Sequence, residues 1–207
     1  MNSTYFVTGI GTNVGKTIVS AILTEALEAD YWKPVQAGDL DNSDSLKVRD
    51  LISNEKTVFL KENFLLSQPM SPHAAAEIDN IKISVKGIKR PKTSNALVIE
   101  GAGGLLVPLN DKETIADLIL PKDRIILVSR NYLGSINHTL LSLEILKNRG
   151  FNCFGIIFNG EANEASEEII LKMSGSRFLG RIEEEPYFDR NVVKEYAETF
   201  REILNMK

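Results

Sequence analysis

With 207 residues, 43% of them apolar and 25% charged, the chain has the make-up of a soluble globular protein able to bury one sizeable core. Its formal net charge of −4 gives no sign of a nucleic-acid or membrane partner, although an anion site needs only backbone N–H groups and one lysine. The single cysteine, Cys153, excludes an intrachain disulfide and a cysteine-built metal cluster; within the apolar run 153–158 it is expected to be a buried, inert thiol.

The chain opens without a basic leader and runs straight into a strand pattern, and no apolar run is long enough for a bilayer, so a cytoplasmic location is expected. Short apolar runs at 5–8, 31–35, 96–100, 125–129, 154–158 and 178–182 read as strands. Those at 96–100, 125–129 and 154–158 are nearly continuous in apolar side chains, as strands covered on both faces must be. Helical spacing appears over 16–29, over 140–146 ahead of Arg149-Gly150, over 164–173 and over 192–204. Alternating β and α elements predict one α/β domain over 1–207, with a mostly parallel central sheet flanked by helices on both faces. The stretch 55–95, with Pro69, Pro72 and Pro91, reads as a loop-rich insertion with short helices.

Between the first strand and the first helix lies Gly9-Ile10-Gly11-Thr12-Asn13-Val14-Gly15-Lys16-Thr17, a phosphate-loop pattern one residue longer than G-x-x-x-x-G-K-[ST]. Glycines there admit a phosphate to the backbone N–H groups, Lys16 supplies charge and the Thr17 hydroxyl suits Mg²⁺. Two carboxylates could join that ion. Glu100 ends an apolar strand beside the turn 101–104, and Asp44 lies in the acidic run 39–44, which reads equally as a solvated loop or a helix cap. Lys33 sits inside the second strand pattern before Pro34. It either snorkels from an edge strand or stands near the phosphate end. The two histidines, His73 and His138, each follow a helix start and show neither triad ordering nor zinc spacing.

These motifs, taken in order with Lys33-Pro34-Val35, Asn42-Ser43-Asp44, Ser71-Pro72-His73, Glu100-Gly101-Ala102-Gly103-Gly104, Pro108-Leu109, Ala116-Asp117 and the segment 133–138, resemble the dethiobiotin synthetase family along most of the chain. The longer loop is that family's version. The resemblance implies a P-loop NTPase-like fold and a homodimer that converts 7,8-diaminopelargonate, CO₂ (or bicarbonate) and MgATP into dethiobiotin, ADP and phosphate. It implies catalytic roles for Lys33 and Lys16, and Mg²⁺ held by Thr17, Asp44 and Glu100. It places Asn13, Val14, Gly15, Lys16, Thr17, Ile18, Asp44, Glu100, Gly101, Ala102 and Gly103 on the nucleotide, with Asn159 on adenine. Thr12, Ala37, Gly134, Ser135 and Asn137 are implied substrate contacts, with the helix N-terminus at 134–137 reaching the substrate carboxylate held by the other subunit.

Asn13 and Ala37 stand where members of the family often carry an acidic residue and a serine, and Glu183 stands where proline is common. A substrate-contacting tyrosine of relatives has no match around 163–172. Two other readings differ in class. A P-loop amidoligase would need a cysteine-bearing amidotransferase region, and a ParA/MinD-like ATPase switch a second lysine early in the loop, where Ile10, Gly11 and Thr12 stand.

Overall fold

The computed structural model describes residues 3–205. In chain order its elements are β1 (Thr4–Gly9), α1 (Lys16–Leu27), β2 (Asp30–Trp32), β3 (Val35–Ala37), α2 (Asp44–Leu51), β4 (Phe59–Leu60), β5 (Phe64–Leu66), α3 (Pro72–Ile78), β6 (Leu97–Gly104), β7 (Arg124–Arg130), α4 (Ser135–Asn148), β8 (Cys153–Asn159), α5 (Glu164–Ser174), β9 (Phe178–Ile182) and α6 (Arg190–Asn205). Seven strands form one sheet in the order β4-β2-β6-β1-β7-β8-β9, and every pair in it is parallel.

A parallel sheet must be covered on both faces, and the strand period of two divides the core accordingly. Tyr5 and Val7 of β1 share a buried cluster with Val19, Ile22 and Leu23 of α1 and with Val193, Ala197 and Phe200 of α6. Phe6 points the other way, into a cluster with Ile99, Ile115 and Leu146. On that second face α4 and α5 cover β7 and β8 through Leu143 and Ile170, packed against Leu127, Ile156 and Phe158. The α/β arrangement read from the sequence is therefore present, with β1 at the centre and the phosphate-loop pattern at its carboxyl end.

The run 31–35 is not one strand. β2 stops at Trp32, and β3 resumes at Val35 to pair with β5 in a separate two-stranded sheet. Pro34 has no N–H for a ladder, and the Lys33 side chain turns inward to carboxylates, so the chain leaves the main sheet there. The acidic run ends in a helix rather than a solvated loop: Ser43 caps α2 by accepting from the Leu46 N–H, and Asp44 is its first residue. The insertion holds α3 and also β4 and β5, two very short strands. α4 begins at Ser135, ahead of the leucine-rich stretch, and α6 at Arg190. Cys153 keeps part of its surface open, yet burial pushes its thiol up to about 11, which leaves it an unreactive neutral group.

Candidate active site

The loop 10–15 joins the end of the central strand to the start of α1, so its backbone sits where a helix N-terminus and the carboxyl edge of a parallel sheet coincide. Gly15 takes φ +98°, and a Cβ added there would fall 2.3 Å from Asn159 Nδ2; no side chain fits. Asn159 closes that contact by donating from Nδ2 to the Val14 carbonyl at 3.1 Å. The asparagine at the end of β8 is thus tied directly to the loop. Lys16 folds back over it, its Nζ donating to the Gly11 carbonyl at 2.8 Å.

Beside the loop, Lys33 forms the centre of a buried charge cluster. Its Nζ lies 2.6 Å from Asp44 Oδ2 and 3.0 Å from Glu100 Oε1, and donates to the Gly101 carbonyl at 3.0 Å. Glu100 accepts in addition from the Thr17 hydroxyl at 3.0 Å and the Tyr31 hydroxyl at 2.9 Å. The Glu100 side chain has no exposed surface and that of Lys33 is 4% exposed, so neither charge is hydrated and each depends on the other. The Gln36 Oε1 accepts from the Asp44 N–H at 3.2 Å and so fixes the start of α2 against β3.

This packing shifts the titrations. Burial by itself would lower the Lys33 ammonium, but Glu100 and Asp44 outweigh it and hold it above the ordinary lysine value. Burial raises the Glu100 carboxyl, with Lys33 opposing and Asp44 adding to the rise. Burial also acts to raise Asp44, but Lys33 and hydrogen bonds from its neighbours bring it below the usual carboxylate range. Lys16 comes down to about 8 through burial and the nearby Lys33 charge, against the pull of Glu100 and Asp44.

A cleft of about 680 Å³ opens over these groups. Thr12, Asn13, Gly15, Lys16, Thr17 and Ile18 border it from the loop, Lys33, Ala37 and Asp44 from the crossover after β2, and Glu100, Ala102 and Gly103 from β6. Val14 and Gly101 stand just behind, through the carbonyls already described. Asn159 marks the far end, facing Arg130, Glu183, Glu184, Glu185 and Phe188. Thr17, Asp44 and Glu100 offer a few hard oxygen donors next to the phosphate loop. That set suits a Mg²⁺ that keeps waters and takes phosphate oxygens. Among the described residues no group of three or more His, Cys, Asp or Glu is placed to hold a metal ion.

Gly134, Ser135 and Asn137 are not in this cleft. They border a second hollow of about 920 Å³ at the start of α4, beside a fully exposed Leu133. Gly134 starts the helix at φ 104° with no side-chain cap. The histidines border neither the cleft nor that hollow: His138 Nδ1 holds the Tyr132 hydroxyl at 2.7 Å, and His73 donates its backbone N–H to the Pro108 carbonyl. Sequence reasoning missed Tyr31, Gln36, Arg130 and Phe188. Tyr31 had one available signal, a polar-tipped aromatic two residues ahead of a lysine in an otherwise apolar strand.

A family model described as an AAA domain matches residues 3–192. The chain is 65% identical over 204 residues to an ATP-dependent dethiobiotin synthetase BioD of Christiangramia forsetii, covering 99% of both chains. It is 51% identical over 195 residues to the protein of the same name from Cytophaga hutchinsonii, covering 93% of this chain and 94% of that one. Among solved structures it resembles the cell division ATPase MinD of Pyrococcus furiosus, with a TM-score of 0.61 at 18% identity over 98% of this chain and all of that one. It also resembles the MinC:MinD cell division complex of Aquifex aeolicus, with a TM-score of 0.58 at 16% identity over 99% of this chain and 97% of that one. The structural likeness speaks for a P-loop NTPase-like α/β fold alone, whereas the sequence identity to the first of these synthetases extends over 99% of both chains: the chain belongs to the ATP-dependent dethiobiotin synthetase family.

Proposed function

We propose that the protein closes the ureido ring of dethiobiotin from 7,8-diaminopelargonate, CO₂ and ATP, in biotin biosynthesis. The observation that carries this is the buried Lys33 held between Glu100 and Asp44 beside the phosphate loop, in a chain 65% identical to an ATP-dependent dethiobiotin synthetase. One substrate amine takes up CO₂ as a carbamate, a carbamate oxygen attacks the γ-phosphorus and expels ADP, and the second amine attacks the carbonyl carbon and expels phosphate. No protein nucleophile is required; the chain has to position anions and neutralise charge.

The residues divide that work. The N–H groups around Gly15 to Ile18 cradle phosphates, and Lys16 exchanges the Gly11 carbonyl for phosphate oxygens. Lys33 stays charged at any working pH and stands where the carbamate and γ-phosphate would meet. Thr17, Asp44 and Glu100 would hold Mg²⁺, which supplies charge neutralisation to the phosphates when bound. Asn159 spends its amide N–H on Val14 and keeps Oδ1 as an acceptor for the adenine amino group. Thr12 and Ala37 line the side open to the diamine.

Gly134, Ser135 and Asn137 serve a homodimer in this reading. Their uncapped helix start lies outside the cleft of their own chain and is suited to the substrate carboxylate in the site of a second copy. We read residues 1–207 as one catalytic domain working in the cytoplasm, with no nucleic-acid or membrane partner; among the described residues no helix is long and apolar enough to cross a membrane. Incubation with diaminopelargonate, bicarbonate and MgATP tests the activity. Dethiobiotin and ADP are expected in equal amounts, and ADP without dethiobiotin would favour an ATPase switch instead.

A further inference from the structure

We propose that Arg130 is a positioning residue for the nucleobase, its guanidinium braced by Glu184 across the base end of the cleft. The inference rests on the nucleotide reading above. Arg130 ends β7 and pairs in register with Asn159 on β8, so the two side chains leave adjacent strand ends at the same edge of the sheet. Both border the cleft, as does the segment after β9.

The brace is specific. Arg130 Nη2 donates to both carboxylate oxygens of Glu184, at 3.1 and 3.0 Å. The pair lies over Gly160, the residue next to Asn159: a Cβ added there would stand 3.0 Å from Glu184 Oε2 and 3.6 Å from Arg130 Nε. Glu183 and Glu185 also border the cleft but have other partners, Glu183 Oε1 lying 3.5 Å from Arg181 Nε. The Glu183 N–H donates to the Tyr196 hydroxyl at 3.0 Å, which in turn donates to Glu185 Oε1 at 2.6 Å. Of three consecutive glutamates, only Glu184 is paired to the arginine at the cleft.

A guanidinium is planar, stacks on aromatic rings and keeps its charge at every working pH, so its face beside Asn159 offers a platform for a base whose edge the asparagine reads. Arg130 and Glu184 are 42% and 64% exposed at their side chains, so their ion pair adds little to folding and substitution there leaves the fold intact. Their effect should fall on nucleotide binding.

Calorimetry with ATP and with inorganic tripolyphosphate, which has no base, tests this on the whole chain. Arg130→Ala should weaken ATP about fivefold, the size of an exposed cation–π contact. Tripolyphosphate should bind as before. In the assay the KM for ATP should rise by the same factor with kcat and the KM for diaminopelargonate unchanged, and Glu184→Gln should show a smaller effect of the same pattern. Unchanged ATP affinity in Arg130→Ala, or equal weakening of ATP and tripolyphosphate, overturns the proposal. The calorimetry needs no turnover, so failure of the wild-type protein to form dethiobiotin would count against the proposed reaction and not against the brace.

Discussion

The two ends of the nucleotide cleft are built on opposite principles. At the phosphate end, the charges are buried, mutually paired and attached to strand ends and a helix start: Lys33 and Glu100 have almost no exposed surface, and Thr17, Tyr31 and Asp44 complete their partners. At the proposed base end, the side chains of Arg130 and Glu184 are 42% and 64% exposed and hold each other, and Tyr196 holds the partly exposed Glu185. A buried charge left without its partner is expensive, whereas an exposed pair is nearly neutral to stability. The phosphate end is therefore held by the protein's own contacts, as charge stabilisation in a transition state requires. The base end can adapt.

This contrast predicts a graded set of effects. Lys16→Ala should lower kcat by at least ~100-fold, or about 3 kcal/mol of transition-state stabilisation, with an unchanged unfolding midpoint. Its ammonium makes one hydrogen bond, to a loop carbonyl, so the fold does not depend on it. Near-normal turnover in that variant would remove the loop from the mechanism.

Lys33→Met should instead damage both properties. Glu100 and Asp44 lose their shared cation, and unfolding in urea should show a loss of about 3 kcal/mol together with loss of turnover. A stable but inactive Lys33→Met protein would mean that the buried cluster is tuned for chemistry alone.

Glu25 lies away from both ends and separates stability from activity. Its carboxylate accepts from the backbone N–H groups of Ser53 and Asn54 and from Asn54 Nδ2, at 2.9, 3.0 and 3.0 Å. Burial acts to raise its pKa, but the bonds from Asn54 and Ser53 and the Arg201 charge outweigh this, so the folded-state value is lowered. A lowered carboxylate pKa contributes stability that is complete above the unfolded value of about 4.3 and is lost as pH falls through the folded one. Glu25→Ala should cost about 2 kcal/mol at pH 7 without changing kcat, and the difference from wild type should narrow below about pH 4. A difference independent of pH would assign the effect to packing.

The smallest signal is expected from subunit mixing. If Asn137 acts on the neighbour's site, combining Lys16→Ala and Asn137→Ala subunits should restore roughly a quarter of wild-type activity, because each mixed dimer carries one intact site. Demonstrated subunit exchange without recovered activity would contradict a shared site.

Much of the phosphate end was legible in the sequence, because it lies along continuous segments: strand, loop and helix over 4–27, and the strand into Glu100-Gly101. Where local patterns mislead, the cause is long-range. The run 31–35 looks like one strand by its apolar content, but Lys33 finds its partners on β6 and α2 and draws the chain out of the sheet. Asp44 reads as part of a polar loop until the Ser43 cap is weighed against the acidic run. β4 and β5 are too short for a period to show and exist only by pairing with β2 and β3. Arg130 and Glu184, fifty-odd positions apart, look like ordinary surface charges, and the parallel pairing of β7, β8 and β9 is what brings them together.

In the proposed reaction ATP is spent at the phosphate end to activate a carbamate oxygen. This is tested most directly with bicarbonate carrying ¹³C and ¹⁸O, in a short incubation with diaminopelargonate and MgATP followed by mass spectrometry of both products. This route puts ¹³C in the ureido carbon of dethiobiotin and one ¹⁸O in the released phosphate, because the carbamate oxygen that attacks the γ-phosphorus leaves with it. Phosphate formed without ¹⁸O, while labelled carbon enters dethiobiotin, would contradict it.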